Sequence, residues 1–490
     1  MEQQQGSLES FLSWAAQLGI SDSTNTDQPQ HSLSCLGHSL CVSLFPHSGG
    51  RGLGAVRDLR RGEIILRVPK SALMTTESVM EDNKLCLAVN KHSSLSSTQI
   101  LSVCLLYEMG KGKTSRWHPY LMHLPQSYDV LAMFGEFEKQ ALQVDEAMWV
   151  TEKAVLKAKS EWKEAHALMD DLMFKPRLLT FKAWVWAAAT ISSRTLHIPW
   201  DEAGCLCPVG DLFNYDAPGE EPSGIEEVEH FLSDSSIHVD VSKEDNIMVD
   251  AEQIDSHSQR LTDGGFDEDA NAYCFYAREN YKKGDQVLLC YGTYTNLELL
   301  EHYGFLLPEN PNDKICIPLE PAIYSSTSWS KESLYIHQNG KPSFALLAAL
   351  RLWATPQNKR RSVGHLAYSG SQLSADNEVF IMKWLLKACG AVLKNLPTSI
   401  EDDNLLMNAI DSQDIFMEFT KLMSSRDEVD TFLEAHDIKD AHGCTDTLLS
   451  RKARRSMDRW RLAVQWRLRY KKVLVDCISY CNEKLNSLMK

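Results

Sequence analysis

The amino-acid sequence predicts an α+β fold: a β domain that carries a helical insertion and is followed by an all-helical lobe. Three observations lead to this prediction. Strand-like apolar segments lie near both ends of residues 39–310, helical periodicity runs between them, and amphipathic helices follow Pro308. At 490 residues, 43% of them hydrophobic, the chain is long enough for more than one core. Residues 1–38 are predicted to form an N-terminal helix and a linker.

The first β unit is predicted as two short strands around a Gly-rich loop at residues 47–54. This loop fails the GxGxxG dinucleotide fingerprint, because its sixth position is Ala55 and β-rich residues follow instead of a helix. Residues 55–66 resemble residues 277–288, since each has a basic pair, a turn Gly, an acid and an apolar run. We favour one β domain interrupted by an insertion; the alternative is a chance similarity of two ordinary hairpins.

The insertion, at about residues 80–190, is predicted to be helical. Ile100, Val103, Cys104 and Tyr107 recur at helical spacing, and the composition of residues 181–189 also favours a helix.

The net charge of −16 comes almost entirely from one segment. Residues 217–270 contain sixteen acidic residues, opposed by Lys243 and Arg260 alone. We interpret this segment as a solvated acidic loop, and docking of a basic substrate is the alternative.

The lobe is predicted to span residues 316–490, after a boundary near residues 310–316. Its amphipathic helices are expected at residues 344–353, 379–393, 405–423 and 453–486. Ser399, followed by Asp402, is a predicted helix N-cap. Basic residues from Arg451 to Lys472 interleave with apolar ones at broadly helical spacing. A solvated amphipathic helix is therefore favoured over binding of a protein partner, and nucleic acid is disfavoured.

The sequence also limits the cellular compartments in which the protein is expected. The first residues lack the basic and apolar regions of a secretory signal and the Arg of a transit peptide, and no apolar stretch approaches the ~18 residues that span a bilayer. The thirteen irregularly spaced Cys are typical of reduced thiols. Cys205 and Cys207 share one face of a predicted strand and are expected to be buried thiols, not metal ligands. We expect a monomer in the cytoplasm or nucleus; the absence of a transit peptide argues against the chloroplast.

Three segments stand out as candidates for the functional site. They are residues 51–54 (RGLG), residues 208–216 (PVGDLFNYD) with SSR at 192–194 upstream, and residues 290–305 (CYGTYTNLELLEHYGF). The glycines let the backbone approach a ligand closely. Taken singly, each segment has an ordinary structural interpretation, such as a turn or a core tyrosine at the end of a strand.

Together and in this order, the three segments resemble the SET-domain protein methyltransferases. The resemblance is to the branch that contains the Rubisco large-subunit lysine methyltransferases and the actin histidine methyltransferase. It covers roughly residues 49–305 and continues weakly into the helical lobe. The segment Trp117-His118-Pro119-Tyr120, followed by Leu124-Pro125, also resembles this branch's helical insertion. The resemblance implies a SET β-fold, S-adenosylmethionine as cofactor, and a lobe on which the protein substrate docks.

The resemblance also implies the residues of the site. The implied cofactor-binding residues are Arg51, Gly52, Leu53, Arg194, Asp211, Asn214, Tyr215, Tyr291 and Tyr303, and the implied catalytic residue is Tyr291. Arg51 stands where many relatives carry an acid, and Tyr215 replaces the usual His of the cofactor pocket.

The chemistry suits these residue types. Methyl transfer from a sulfonium is an in-line displacement that needs an unprotonated nucleophile and no metal. An apolar, aromatic channel desolvates a lysine amine, whose reference pKa is about 10.4, and orients it. We assign Tyr291 an orienting and electrostatic role and not that of a simple general base.

We therefore predict a protein-lysine N-methyltransferase, with two alternatives left open. The histidine enzyme has an Asn where this chain has Leu196 and an Arg where it has Tyr294, and both differences favour lysine. The second alternative is a non-catalytic SET scaffold that binds partners, for which Tyr215 is the main support.

Overall fold

A computed structural model describes residues 2–23, 34–45, 50–218, 263–412, 426–436 and 450–489. Its strands are β1 (Leu40–Phe45), β2 (Gly50–Ala55), β3 (Ile64–Pro69), β4 (Thr195–Ile198), β5 (Asp201–Leu206), β6 (Asn214–Tyr215), β7 (Gly264–Asp267), β8 (Ala272–Tyr276), β9 (Gln286–Leu289), β10 (Lys314–Ile315) and β11 (Ile336–His337).

The described helices are α1 (Glu2–Gln17), α2 (Thr76–Val79), α3 (Asn83–Val89), α4 (Ser97–Lys111), α5 (His118–Leu121), α6 (Glu136–Gln140), α7 (Asp145–Asp171), α8 (Phe181–Arg194), α9 (Asn296–His302), α10 (Pro321–Tyr324), α11 (Phe344–Trp353), α12 (Arg360–Tyr368), α13 (Ala375–Asn395), α14 (Ile400–Asp411), α15 (Arg426–Ala435) and α16 (Arg451–Leu488). The predicted α+β class is confirmed, and helices occupy the insertion and the lobe.

Short sheets form the β domain. The largest described sheet has the order β1-β2-β9-β6, and β3-β8-β7 form a second one. The Gly-rich segment is itself strand β2, paired with β1 from Gly50 to Ala55, so the prediction of a loop across these residues was wrong. Glycine is compatible with a strand where neighbouring groups approach the backbone too closely for a side chain, and such groups lie beside Gly52.

The two similar β units pack against each other, as predicted for one β domain interrupted by an insertion. The backbone amides of Leu59 and Tyr281 each donate to the other residue's carbonyl, at 2.9 and 3.1 Å. The two turn glycines make equivalent bonds, Gly62 to the carbonyl of Ala277 and Gly284 to that of Ala55, both at 2.8 Å. These reciprocal bonds give the pair a local two-fold arrangement. The backbone contacts, and not the sequence similarity alone, join the two units into one domain.

The insertion contains the predicted helices. Helix α4 carries Val103 and Cys104 into the core, and the bounds of α8 include all of residues 181–189. Ser96 caps α4 with a reciprocal capping box to Gln99, which satisfies two backbone amides at the start of the helix. The core of the β domain is shared with this insertion, since α4 and α8 bury side chains in the same cluster as β3 and β5.

A second core lies in the lobe and extends beyond it. It unites α11, α13, α14 and α16 with residues 131–147 of the insertion and with Leu300 of α9. Ser399 is the N-cap of α14, and its side chain and that of Asp402 form the predicted capping box. The predicted helix at 405–423 is described only to residue 412, where α14 has ended, and residues 413–425 lie outside the described residues.

The prediction that the basic residues of α16 form a solvated face was wrong for two of them. The side chains of Arg467 and Lys471 are 0% and 1% exposed. Both bind the buried carboxylate of Asp403, at 2.8 and 2.6 Å, and Arg467 also binds Glu428 at 2.9 Å. Paired acids on neighbouring helices compensate for the loss of hydration, so these cations join the lobe's core.

Other predictions concern thiols, membranes and the acidic loop. Cys205 and Cys207 are free and fully buried, as expected for core thiols. Among the described residues, no helix has the length and apolar character needed to cross a bilayer. Most of the predicted acidic loop, residues 219–262, lies outside the described residues.

Candidate functional site

The second of the three candidate segments, residues 208–216, makes a strained turn after β5. Val209 has φ +70° and ψ −43°, a conformation that is costly for a β-branched residue. Gly210 follows, and a Cβ there would lie 2.5 Å from the ring of Phe275 and 2.7 Å from the sulfur of Cys207. After a 3₁₀ turn at Gly210–Leu212, the chain enters β6, which runs parallel to β9. The turn therefore delivers the central motif to the edge of the main sheet.

Strand β2 brings the Gly-rich segment beside this motif. A Cβ on Gly52 would lie 2.6 Å from Nδ2 of Asn214 and 2.9 Å from Nε2 of Gln286. The Nδ2 group of Asn214 donates to the carbonyl of Arg51 at 3.4 Å. Leu53 is fully buried, backbone included, and β2 pairs it with Val42 of β1 and Val287 of β9. Two segments that lie far apart in the sequence thus meet at Gly52.

Arg194 and Asp211 form an ion pair inside the site. One guanidinium nitrogen of Arg194 donates to the Asp211 carboxylate at 3.1 Å and to its carbonyl at 2.8 Å. The carboxylate is 3% exposed and the Arg194 side chain 21%. Burial lowers the pKa of the Arg194 guanidinium, but the attraction by Asp211, together with the contributions of Tyr128 and Tyr120, outweighs burial and raises this pKa. Arg194 is therefore a permanent cation.

Arg51 lies at the rim of the same region. Its guanidinium donates to the carbonyl of His123 at 2.9 Å, so the insertion fixes its direction. Burial, followed by repulsion from Arg194, lowers the pKa of Arg51. The repulsion shows that the two cations lie within electrostatic reach of each other. The single negative charge of Asp211 compensates only one of the two positive charges.

Tyr291 follows β9, and its hydroxyl donates to the carbonyl of Phe213. Burial, with Asp211 adding to it, raises the pKa of this phenol, so Tyr291 stays neutral at physiological pH. A neutral phenol that is held by a carbonyl acceptor is suited to orient a substrate, and it is a poor general base. The orienting role of Tyr291 stays a prediction.

Tyr215, which stands where the resemblance implies a His, is buried, and its hydroxyl has a hydrogen-bond partner. Its hydroxyl donates to the carbonyl of Gly292 at 2.8 Å. Its ring lies 5.2 Å from that of Tyr291 and 6.2 Å from that of Phe305. Tyr303 stacks on the opposite side of this cluster, 5.6 Å from Tyr291. Tyr215 thus supports the segment that carries Tyr291, through both its ring and its hydroxyl.

A cavity of about 690 Å³ opens on one side of Tyr291. Four of the predicted site residues line it, namely Arg194, Asp211, Tyr291 and Tyr303. Leu196, Leu289, Tyr273, Tyr294, Phe266 and Phe275 supply apolar and aromatic walls. The remaining predicted residues, Arg51, Gly52, Leu53, Asn214 and Tyr215, lie outside this lining and gather along β2 and β6. The two groups meet where the Tyr291 hydroxyl contacts the chain between Leu212 and Asn214.

Sequence reasoning missed three contributors to the site. Tyr120 donates from its hydroxyl to the carboxylate of Asp211 at 2.8 Å, and the Tyr128 hydroxyl accepts from Arg194 at 3.2 Å. The strained Val209 is the third. The WHPY segment was a usable signal for Tyr120, whereas nothing local to Tyr128 or Val209 distinguishes them from other core residues.

Comparison with known proteins identifies the family. Residues 324–474 match the family model described as Rubisco LSMT substrate-binding. The protein SET DOMAIN GROUP 40 of Arabidopsis thaliana is 56% identical over 500 aligned residues, which cover 100% of this chain and 98% of that protein. The chain belongs to the SET-domain methyltransferase family. The resemblance and the helical substrate-binding lobe predicted from the sequence are both confirmed.

More distant SET-domain relatives differ in their substrates. The actin-histidine N-methyltransferase of Xenopus tropicalis is 24% identical, over 75% of this chain and 61% of that protein. A solved structure of the SET domain of LSMT bound to MeLysine and AdoHcy is 19% identical, with a TM-score of 0.57 over 98% of this chain and 93% of that one. A second, of Rubisco LSMT bound to AdoMet, has 18% identity and a TM-score of 0.55 over 98% and 93%. These structural matches establish the fold.

Proposed function

We propose that this SET-domain protein transfers a methyl group from S-adenosylmethionine to a lysine side chain of a protein substrate. The observation that carries the proposal is the position of Tyr291. Its hydroxyl donates to the carbonyl of Phe213, next to Asn214 of β6, and Tyr291 also lines a cavity with aromatic walls. One side therefore suits the cofactor, and the other suits the acceptor side chain.

The residues along β2 and β6 suit this cofactor. The side-chain amides of Asn214 and Gln286 fill the space beside Gly52, so polar groups gather at this strand. The amide of Asn214, which donates to the carbonyl of Arg51, places a polar group where an amino-acid portion of a ligand would lie. At the boundary between this side and the cavity, Arg51 and Arg194 together with Asp211 leave one positive charge in excess, which suits the carboxylate of the methionine portion.

The walls of the cavity support lysine as the acceptor. Leu196 and Tyr294, the positions where the histidine enzyme of this branch has Asn and Arg, both line the cavity together with Tyr291. The side chain of Leu196 cannot form a hydrogen bond with an imidazole nitrogen. An aliphatic side chain with an amine at its tip gains from apolar walls, which desolvate the amine and favour its neutral form.

The proposed reaction is a direct displacement. S-adenosylmethionine supplies a methyl group bound to a sulfonium, which leaves with the electron pair of the broken S–CH₃ bond. The acceptor ammonium first loses its proton to solvent, and its lone pair then forms the new N–CH₃ bond. Because its hydroxyl donates to the carbonyl of Phe213, the oxygen of Tyr291 can still accept a hydrogen bond from the amine. Holding the amine in line in this way lowers the entropic part of the barrier.

Histidine methylation is the second candidate, because actin-histidine N-methyltransferases are among the relatives. Either enzyme predicts turnover, whereas a scaffold that only binds partners does not. The location in the cytoplasm or nucleus and the monomeric state remain predictions.

The experiment that separates an enzyme from a scaffold is transfer of labelled methyl from S-adenosylmethionine into proteins of a hypomethylated cell extract. We expect label on a discrete band with the natural protein, and a strong loss with Tyr291→Phe. Tyr470→Phe is the matched control, because it removes a buried tyrosine hydroxyl that donates to the carbonyl of Cys316 in the lobe. No incorporation by folded natural protein across several extracts would favour the scaffold.

A further inference from the structure

Two tyrosines of the helical insertion complete the Arg194–Asp211 pair. The hydroxyl of Tyr120 donates to Oδ2 of Asp211 at 2.8 Å, the same oxygen that binds Arg194 at 3.1 Å. The Tyr128 hydroxyl accepts from Nε of Arg194 at 3.2 Å. Each member of the ion pair therefore has a second partner, and both partners come from a segment more than sixty residues earlier in the sequence.

Packing fixes the position of Tyr120. It lies on α5 and is 1% exposed. Its ring stacks at 6.4 Å on that of Phe11, which is itself 1% exposed on the N-terminal helix α1. Burial, and then the charge of Asp211, raise the pKa of Tyr120, so its hydroxyl keeps its proton and donates. The donor cannot move without disturbing α1.

The arrangement determines where Arg194 directs its charge. A guanidinium that is bound only by a flexible carboxylate has several orientations, whereas this one is held at two of its nitrogens. One nitrogen binds the carboxylate and the backbone carbonyl of Asp211, and Nε binds Tyr128. Tyr120 in turn limits the rotation of the Asp211 carboxylate. Such second partners commonly set the geometry of a binding group.

We infer that Tyr120 and Tyr128 are positioning residues, which hold Asp211 and Arg194 in the orientation needed for cofactor binding. The inference rests on the proposed function. It gives the insertion and α1 a role in the methyl-transfer site that goes beyond packing. Helix α1 fixes the position of Tyr120, and Tyr120 fixes the orientation of the Asp211 carboxylate.

The test is the affinity for S-adenosylhomocysteine, measured by titration calorimetry on the full chain. Tyr120→Phe removes one hydroxyl and keeps the ring. We expect its dissociation constant to rise about tenfold, because a hydrogen bond to a buried charged group is lost. Tyr128→Phe is expected to show a smaller rise. The KM for S-adenosylmethionine should rise by a larger factor than kcat falls.

Tyr470→Phe is the matched control, since Tyr470 is also buried and its hydroxyl bond lies in the lobe. If Tyr120 has a purely structural role, Tyr120→Phe and Tyr470→Phe should both have lower melting temperatures than the natural protein. Both variants should then bind S-adenosylhomocysteine with the natural affinity. Natural affinity in Tyr120→Phe overturns the inference. If Tyr120→Phe does not fold, natural affinity in Tyr128→Phe overturns it. Failure of the natural protein to bind S-adenosylhomocysteine would instead contradict the proposed function.

Discussion

The sharpest steric prediction concerns Gly52. Alanine at this position places a Cβ 2.6 Å from Nδ2 of Asn214 and 2.9 Å from Nε2 of Gln286. Ordinary contacts begin at 3.4 Å, so the Asn214 amide must move by roughly 1 Å. A displacement of this size at a positioning group typically costs about 100-fold in kcat/KM. Gly52 is absent from the residues with positive φ, so the loss reflects steric overlap and not backbone strain.

The assay compares kcat/KM for methyl transfer and the affinity for S-adenosylhomocysteine between Gly52→Ala and the natural protein. Gly390→Ala is the control, because its new Cβ meets nothing within 4 Å on helix α13. That control is expected to keep full activity and to gain up to about 1 kcal/mol in the free energy of unfolding. Natural affinity and activity in Gly52→Ala would refute the placement of the cofactor against this strand.

Three further predictions concern the acceptor, the lobe and Tyr215. The rate of methyl transfer should keep rising above pH 8 if lysine is the acceptor and should level off near pH 7 if histidine is, because their reference pKa values are about 10.4 and 6.5. Tyr291, whose pKa is raised, contributes no ionisation in this range, and a plateau near pH 7 would contradict lysine. Asp403→Ala leaves Arg467 and Lys471 buried without this carboxylate, and should cost about 3–5 kcal/mol in urea unfolding. Asp411→Ala breaks an exposed ion pair and should cost less than about 1 kcal/mol; equal losses would refute the argument. Tyr215→Phe loses the bond to the Gly292 carbonyl and should cost about 1 kcal/mol, whereas an unchanged melting temperature would show that this bond contributes nothing.

The parts of the fold that follow from local sequence were predictable. The spacing of apolar residues on α4 and the capping pair at Ser399 each depend on neighbours within one helical turn, and both predictions were confirmed. The similar turns at Gly62 and Gly284 pointed to one β domain, because each turn needed a partner strand.

The parts that depend on distant contacts were not predictable. The basic run of α16 gave no sign that Arg467 and Lys471 are buried, since their acid partners lie on other helices. The Gly-rich strand was interpreted as a loop, because the groups that crowd Gly52 come from residues more than 150 positions away. At the site, motif order indicated Arg194 and Tyr291, but the contacts of Tyr128 exist only in the folded chain.

The most direct test of the central claim is the identity of the methylated residue. The band labelled by the natural protein is hydrolysed in acid, and the labelled amino acid is separated from standards of methyl-lysine and methyl-histidine. We expect label in methyl-lysine alone, because Leu196, Tyr294 and other apolar or aromatic side chains form part of the lining of the acceptor cavity. Label in methyl-histidine would contradict this assignment and would mean that Leu196 and Tyr294 do not select the acceptor.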